Sequence, residues 1–400
     1  MDIVFLLSYG LVFLFLLRNI IILYFYFKNI IRYKHLEKNN KYNVSVVIAA
    51  YNEEVGLGKT LNRLIVSEKK SVDKFEIIVV DDGSTDKTLE IASEYQRDFP
   101  YVRVFSKRNE GKSRALNHGI KFSKNEYIIT MDADSMVEID AIEEILHIFD
   151  DPKVGAVSSK VIVGNPNNFL TIMQDIEYET GQEVEKRALT ELNMVKVIPG
   201  ALAAFRRSPL ANCGFYNYDT LTEDFDLTLQ LQTCGWLIRF APNSKVFTEA
   251  PEDLVSYNKQ RTRWNNGTLQ VLSKHNKKID TLRKLFRWVG QKSPNSLNKV
   301  KLIIQFILFD IFFLFFMPLL LLLTIIGNPQ ILFISLFSFV LTEILFSALS
   351  YRRFTYKIFV SPISRIVTSV LNMYIYTKIF LKYKKYRNNL TWNKLERKGL

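Results

Sequence analysis

Gln260-Arg261-Thr262-Arg263-Trp264 puts an amide, two guanidiniums and an indole within one pentapeptide. Such a set can hydrogen-bond sugar hydroxyls, hold phosphate charge and stack on a sugar ring. Two acidic clusters precede it, Asp132-Ala133-Asp134 and Thr222-Glu223-Asp224. Asp132 and Asp134 follow an apolar run, where alternate residues share a side. A turn starting there can bring both carboxylates onto one cation. Hard oxygen donors suit Mg2+ or Mn2+, which commonly also bind substrate phosphates. In Glu223-Asp224, one carboxylate can serve as general base toward an attacking hydroxyl. The pair also suits the first turn of a helix, where acidic groups meet the positive end of the dipole. The two readings are compatible. Together the clusters imply chemistry on an anionic sugar donor at a membrane.

Other motifs are less decisive alone. Asp81-Asp82-Gly83-Ser84-Thr85-Asp86 is good turn and capping chemistry, with Thr85 or Asp86 as a helix cap. Capping does not account for adjacent carboxylates after an apolar run. An aspartate there can accept the imide hydrogen of a uracil ring. Positions 260, 263, 264 and 267 share one helical face, with Gly267 expected to leave room beside the indole. The bland alternative is a basic amphipathic helix at a membrane surface. Gly111-Lys112-Ser113 looks like the end of a P-loop, but Ser106 stands where its first glycine belongs. Gly56 and Gly58 fail as a dinucleotide fingerprint, because Leu61 takes the third position.

The elements that must position these residues are legible as alternation. Val44–Ala50, Glu76–Asp81, Val102–Phe105 and Tyr127–Met131 read as short buried strands. Between them, Leu57, Leu61, Leu64 and Ile65 recur at helical spacing, and Lys112–Phe122 forms another helix. Strand-helix alternation predicts an α/β fold with a mostly parallel sheet covered on both faces. Ligands in such sheets bind beyond the carboxyl ends of the strands. Tyr51-Asn52-Glu53, Asp81-Asp82 and Asp132 to Asp134 all fall there. The shape of a sugar pocket is expected from residues between Gly164 and Phe205, where no pattern assigns roles.

The 400-residue chain is 48% hydrophobic, unevenly spread. Ile3 to Phe27 is nearly all apolar, and as a helix is about 37 Å long, enough to cross a bilayer. Without basic residues before it or a small-residue cleavage site after it, it reads as an anchor and not a signal peptide. Lys28, Arg32 and Lys34 follow it, which puts the following polar domain in the cytoplasm. Leu302–Ile326 and Ile331–Leu349 read as a membrane hairpin turning at Gly327-Asn328-Pro329-Gln330. Asp310 and Glu343 inside it line a sugar path or bond within the helix bundle. Ile363–Leu381 carries Arg365, Asn372 and Lys378. If it crossed, the basic run Lys382–Arg387 would lie outside, a conflict that a re-entrant or interfacial helix avoids. The expected organisation is an anchor (1–30), a catalytic domain (40–272), a basic amphipathic segment (273–301), a membrane region (302–382) and a basic cytoplasmic tail (383–400). The location is the cell membrane, with several passes.

The net charge of +13 concentrates beside membrane segments, at Lys274–Lys301 and Lys382–Arg387. Anionic lipid head groups account for that. Zinc-finger spacings and RNA-binding signatures are missing, so no nucleic-acid partner is expected. Two cysteines, Cys213 and Cys234, are too few for a disulfide framework or a Cys-rich metal site.

In order along the chain stand Ala50-Tyr51-Asn52-Glu53, Asp81-Asp82-Gly83-Ser84, Gly111 to Asn117, Asp132-Ala133-Asp134, Pro199-Gly200, Thr222-Glu223-Asp224 and the pentapeptide. With these motifs the chain resembles the membrane-bound, processive, inverting family 2 glycosyltransferases. The group includes poly-N-acetylglucosamine, hyaluronan, chitin-oligosaccharide and cellulose synthases. The short length, the single N-terminal span and the tail residues Thr391, Trp392, Arg397 and Gly399 most resemble poly-β-1,6-N-acetylglucosamine synthases. The resemblance implies a GT-A domain using a UDP-sugar, best matched by UDP-N-acetylglucosamine, with Mg2+ or Mn2+. It implies nucleotide contacts for Tyr51, Glu53, Asp82, Lys112 and Asp132, and metal contacts for Asp134 and Asp132. Asp224, beside Glu223, would be the base; Gln260, Arg263 and Trp264 would bind diphosphate and acceptor. Its implied partners are a growing glycan and membrane lipid, with room for a small accessory membrane subunit. A single addition to a lipid, or a hyaluronan- or glucan-type product, are the alternatives.

Overall fold

The computed structural model describes residues 2–34, 40–67, 69–288, 295–327, 329–382 and 386. The tail motif around Thr391 to Gly399, Asn328 of the hairpin turn and part of the basic segment lie outside them. In chain order the elements are α1 (Asp2–Lys34), β1 (Tyr42–Ala50), α2 (Leu57–Val66), β2 (Val72–Asp81), α3 (Thr88–Asp98), β3 (Val102–Ser106), α4 (Lys112–Phe122), β4 (Tyr127–Asp132), β5 (Met136–Val137) and α5 (Ala141–Leu146). A 3-10 turn (His147–Asp150) leads to β6 (Val154–Val163) and α6 (Phe169–Thr180). A π-helical turn (Gly181–Lys186) joins α6 to α7 (Arg187–Glu191). Then come β7 (Leu202–Arg206), α8 (Arg207–Cys213), α9 (Glu223–Thr233), β8 (Leu237–Thr248), α10 (Leu254–Trp288), α11 (Asn295–Gly327), α12 (Pro329–Tyr351) and α13 (Lys357–Leu381).

The eight strands form one sheet in the order β3-β2-β1-β4-β7-β6-β8-β5. β3, β2, β1 and β4 run parallel, as the alternation predicts. β7 is antiparallel to both β4 and β6, and β5 is antiparallel to β8, so the sheet is mixed. Alternate residues of β1 feed opposite faces, as the strand period requires. Val44, Val46 and Ile48 pack with Leu57, Leu61 and Leu64 of α2. Val47, with Ile78 and Val80 of β2, packs with Ala115, Leu116 and Ile120 of α4. The predicted cap on α3 differs in detail. Lys87 is the N-cap, and the Asp86 carboxylate instead accepts from the Thr88 N–H at 3.0 Å.

Among the described residues, Val12–Tyr33, Phe333–Tyr351 and Lys357–Leu381 are long and apolar enough to cross a membrane. Their polar groups gather where they meet the sheet domain. Arg18 of α1 reaches Glu185 at 3.1 Å, and Lys196 bridges Glu185 (3.0 Å) and Asp310 of α11 (2.8 Å). Arg365 of α13 pairs with Glu343 of α12 at 3.2 Å. Asp310 and Glu343 are thus satisfied by cations from other elements. Helix α13 stays against the sheet domain along its length. Lys357 reaches Asp175 of α6 at 2.7 Å, and Ser364 donates to the Met173 carbonyl at 3.2 Å. Asn372 accepts from Asn265 of α10 at 3.4 Å, and the Tyr386 carbonyl accepts from Asn266 at 3.1 Å.

Helix α4 approaches the sheet through Gly119. A methyl there would overlap Val47 Cγ1 and come within 3.1 Å of Val80 Cγ2. We expect Gly119→Ala to destabilise by about 1–3 kcal/mol through overpacking. Gly58→Ala, whose methyl would meet Ile91 only at 3.8 Å, should be neutral or gain about 0.5–1 kcal/mol. Urea titrations followed by far-UV circular dichroism in detergent check both.

Candidate active site

The strand register sets the first part of the site. Ala49 of β1 pairs with Asp132 of β4, and Ala50 pairs with Asp81 of β2. The acidic ends of the strands therefore lie along one edge. Two loops there are joined: the Asn52 amide donates to Ser84 Oγ at 3.0 Å, and Asn52 Oδ1 accepts from the Thr85 N–H at 2.8 Å. The Glu53 N–H donates to Thr88 Oγ1 at 2.7 Å. The buried Asp82 carboxylate accepts from Lys107 Nζ (2.9 Å), the Glu110 N–H (3.1 Å) and the Gly111 N–H (2.7 Å). It fastens the loop that leads into Lys112. Any uracil contact must share that carboxylate with the loop.

A cavity of about 360 Å³ opens beside this edge, within the range of small-molecule sites. It brings together Lys112, Asp132, Glu223, Asp224, Gln260, Arg263 and Trp264. Tyr51, Glu53, Asp82 and Asp134 lie at the same sheet edge but do not line this cavity. Lys112 Nζ sits 2.5 Å from Asp132 Oδ1 and 3.5 Å from Glu223 Oε1. Burial opposes its charge, but Asp132 and Glu223 outweigh burial and hold its pKa above the ordinary lysine value. Pro199-Gly200 closes over this pair: a methyl at Gly200 would lie 2.6 Å from Lys112 Nζ.

Glu223 opens α9, so the acidic pair occupies the first helical turn as macrodipole logic predicts. Asp224 Oδ1 accepts from the Phe225 N–H at 2.8 Å. Burial, then the Glu223 charge, push the Asp224 pKa up to about 6, against the pull of Lys112 and Arg263. A carboxylate poised near neutrality fits a general base. Two residues on, Asp226 is fully buried. It accepts from Lys274 Nζ at 2.8 Å and Asn217 Nδ2 at 2.7 Å, and lies 2.6 Å from His275 Nε2. Burial disfavours its charge, but the bonds from His275 and Lys274 dominate and depress its pKa to about 2. This cluster ties α9 to α10, which carries the pentapeptide.

Helix α10 divides the pentapeptide between roles. Gln260, Arg263 and Trp264 line the cavity. Arg263 holds only a 3.4 Å bond to the Leu221 carbonyl, and Gln260 Oε1 is buried with no partner among the described residues. Arg261 faces elsewhere. It grips both oxygens of Glu177 at 2.7 Å and lies 4.9 Å from the Trp264 ring. Of the two guanidiniums, this one positions the indole and is not free for phosphate. The expected role of Gly267 also changes. The space it leaves is filled by Thr222 (a methyl would lie 2.6 Å from Thr222 Cγ2), so its small size serves α9–α10 contact, not the indole.

Glu177, Gln182, Glu185, Lys186 and Lys196 also line the cavity. They fall in the Gly164–Phe205 segment, where sequence patterns named no site residue. The signal that could have found them is the density of charged residues in a helical stretch between two strands. For a metal, the described residues show no cluster of three or more His, Cys, Asp or Glu side chains. Asp132 and Asp134, around the turn that follows β4, supply two hard donors.

Residues 45–214 match the glycosyl transferase family 2 model. The poly-beta-1,6-N-acetyl-D-glucosamine synthase of Staphylococcus aureus (strain COL) is 34% identical over 260 residues, 62% of this chain and 61% of the relative. The synthase of the same name from Staphylococcus epidermidis is 32% identical over 230 residues, 57% of this chain and 55% of the relative. The match thus spans about three-fifths of the length of those relatives (61% and 55%). The solved mannosyltransferase PcManGT from Pyrobaculum calidifontis, in complex with GDP-Man and Mn2+, aligns with a TM-score of 0.50 at 16% identity. That alignment covers 95% of this chain and 96% of the other, a likeness of fold. The segment from 45 to 214 thus matches glycosyl transferase family 2, and the sheet has a GT-A type fold.

Proposed function

We propose that the chain is an inverting, processive glycosyltransferase that builds a β-linked polysaccharide from UDP-N-acetylglucosamine at the cytoplasmic membrane face and passes it across. The observation that carries this reading is Asp224, held near pKa 6 in one cavity with Lys112, Arg263 and Trp264. The similarity to staphylococcal poly-beta-1,6-N-acetyl-D-glucosamine synthases supports the N-acetylglucosamine product. An acceptor hydroxyl attacks the anomeric carbon while Asp224 takes its proton. The bond to the diphosphate oxygen breaks, and UDP leaves with the electron pair. One direct displacement inverts the centre. Lys112 and Arg263 offset charge on the departing diphosphate, and Trp264 offers an apolar face to a pyranose. Tyr51, Glu53 and Asp82 flank the nucleotide end.

Two carboxylates without a closed cage fit Mg2+ or Mn2+, which complete their shells with water and substrate phosphate. Asp132 and Asp134 would hold the ion, whose charge would offset that of the diphosphate. Chelation with EDTA should abolish sugar transfer and Mn2+ should restore it. Asp134→Asn should raise the Mn2+ concentration needed, read by titration of activity.

We further propose a multi-pass arrangement in which α1, α11 and α12 cross the membrane and α13 lies on its cytoplasmic face. Bonds from α13 to α6 at Lys357 and to α10 at Asn372 support this reading. A fluorescent reporter on the C-terminus should then share the side of one inserted in the catalytic domain. Opposite sides would refute the interfacial placement.

The base assignment sets a pH profile. Asp224 must be ionised, so kcat/KM should fall as pH drops through about 6, the raised pKa. Glu223→Gln removes the like charge and should move that acid limb to lower pH. Asp224→Asn should lose roughly a hundred- to ten-thousandfold in turnover while UDP still binds. Labelled UDP-N-acetylglucosamine supplied to membranes should yield a polymer ladder. A single lipid-soluble product would instead establish one-step addition to a lipid.

A further inference from the structure

The cations of the cavity are mostly committed. Lys112 is bound to Asp132 and Glu223, and Lys196 to Glu185 and Asp310. Lys186 differs: it lines the cavity, yet has no hydrogen-bond or ion-pair partner among the described residues, and its ammonium lies 5.4 Å from the Phe240 ring. An ammonium carries three donors, and a part-buried one gains from a ligand that accepts them. Burial lowers its pKa to about 7, with Asp224 pulling the other way.

The backbone explains how Lys186 arrives there. It closes the π-helical turn Gly181–Lys186 between α6 and α7. The wider turn shifts the faces of the helix that follows. Val184 and Ala188 pack with Ile22 and Tyr26 of α1, while Glu185 and Lys186, adjacent in sequence, both line the cavity. Such turns are frequent at functional sites. Gln260 lines the same cavity, and its Oε1 is a second polar atom without a partner among the described residues, on a residue 6% exposed. An unmet donor and an unmet acceptor in one cavity suit a ligand that offers both. A sugar hydroxyl does so, and so does an acetamido group with its N–H and C=O.

We propose that Lys186 is a substrate-contacting residue that donates to an oxygen of the acceptor sugar docked between the π-helical turn and Trp264. The acceptor end is assigned because Lys186 lies on the wall built against α1, and the nucleotide end is occupied by Lys112 and Asp132. This inference rests on the glycosyltransferase reading above.

The test uses the full chain in detergent with UDP-N-acetylglucosamine and a short β-linked N-acetylglucosamine oligosaccharide. Lys186→Met should raise the acceptor KM by about 10- to 100-fold, the size of one hydrogen bond to a charged group. The KM for UDP-N-acetylglucosamine should stay within about twofold, and Lys186→Arg should recover part of the acceptor binding. If the Met variant does not fold by circular dichroism and gel filtration, Lys186→Leu is read the same way. An unchanged acceptor KM, or a donor KM that rises in step with it, overturns the assignment of Lys186 alone. A wild type that transfers no sugar overturns the glycosyltransferase reading and this inference together.

Discussion

A charge in an enclosed cavity persists only beside its counter-charge, and this constraint organises the molecule. Lys112 keeps its proton because Asp132 and Glu223 flank it. Glu185 is held below the usual carboxylate range because Lys196 and Arg18 outweigh its burial. Arg261 is buried because Glu177 takes both ends of its guanidinium. For Arg261, the most buried of these cations, removing the Glu177 carboxylate should cost about 3–5 kcal/mol. Each pair joins elements distant in sequence, so the same pairing that solvates the charge also sets the geometry. Asp224 stands apart, since burial and then the neighbouring Glu223 charge both raise its pKa, to about 6.

The parallel half of the sheet was legible because its strands are short apolar runs separated by helical periodicity. Lys112–Phe122 was read with its observed ends, since the spacing and the flanking glycine and serine agree. The other half was not read. β6, β7 and β8 are separated by several helices each, and β7 runs antiparallel between β4 and β6. No local pattern encodes that reversal. The cavity was legible where its residues sit at strand ends or in compact motifs, as with Asp132, Asp224 and Trp264. Arg261 and Arg263 could not be told apart, because their difference is a partner 84 residues away for Arg261. Lys186 was invisible for a similar reason. A π-helical turn leaves no signature in the sequence, and without it the phase of the helix is misread.

The membrane helices show the same interplay. Asp310 and Glu343 are costly in a helix considered alone. In the assembled fold they meet Lys196 and Arg365 where the helices join the sheet domain. A polar layer at that junction lets apolar helices and a polar domain share one boundary without unpaired charge.

The contact between Gly267 and Thr222 has a consequence for how such a site can diversify. With no space between α9 and α10 for even a methyl group, that wall is effectively closed to substitution. The π-helical turn that also lines the cavity holds a side chain, Lys186, without a polar partner among the described residues. Variation can accumulate on one wall while the other stays frozen. A lineage could therefore exchange the sugar it accepts without rebuilding the reaction itself.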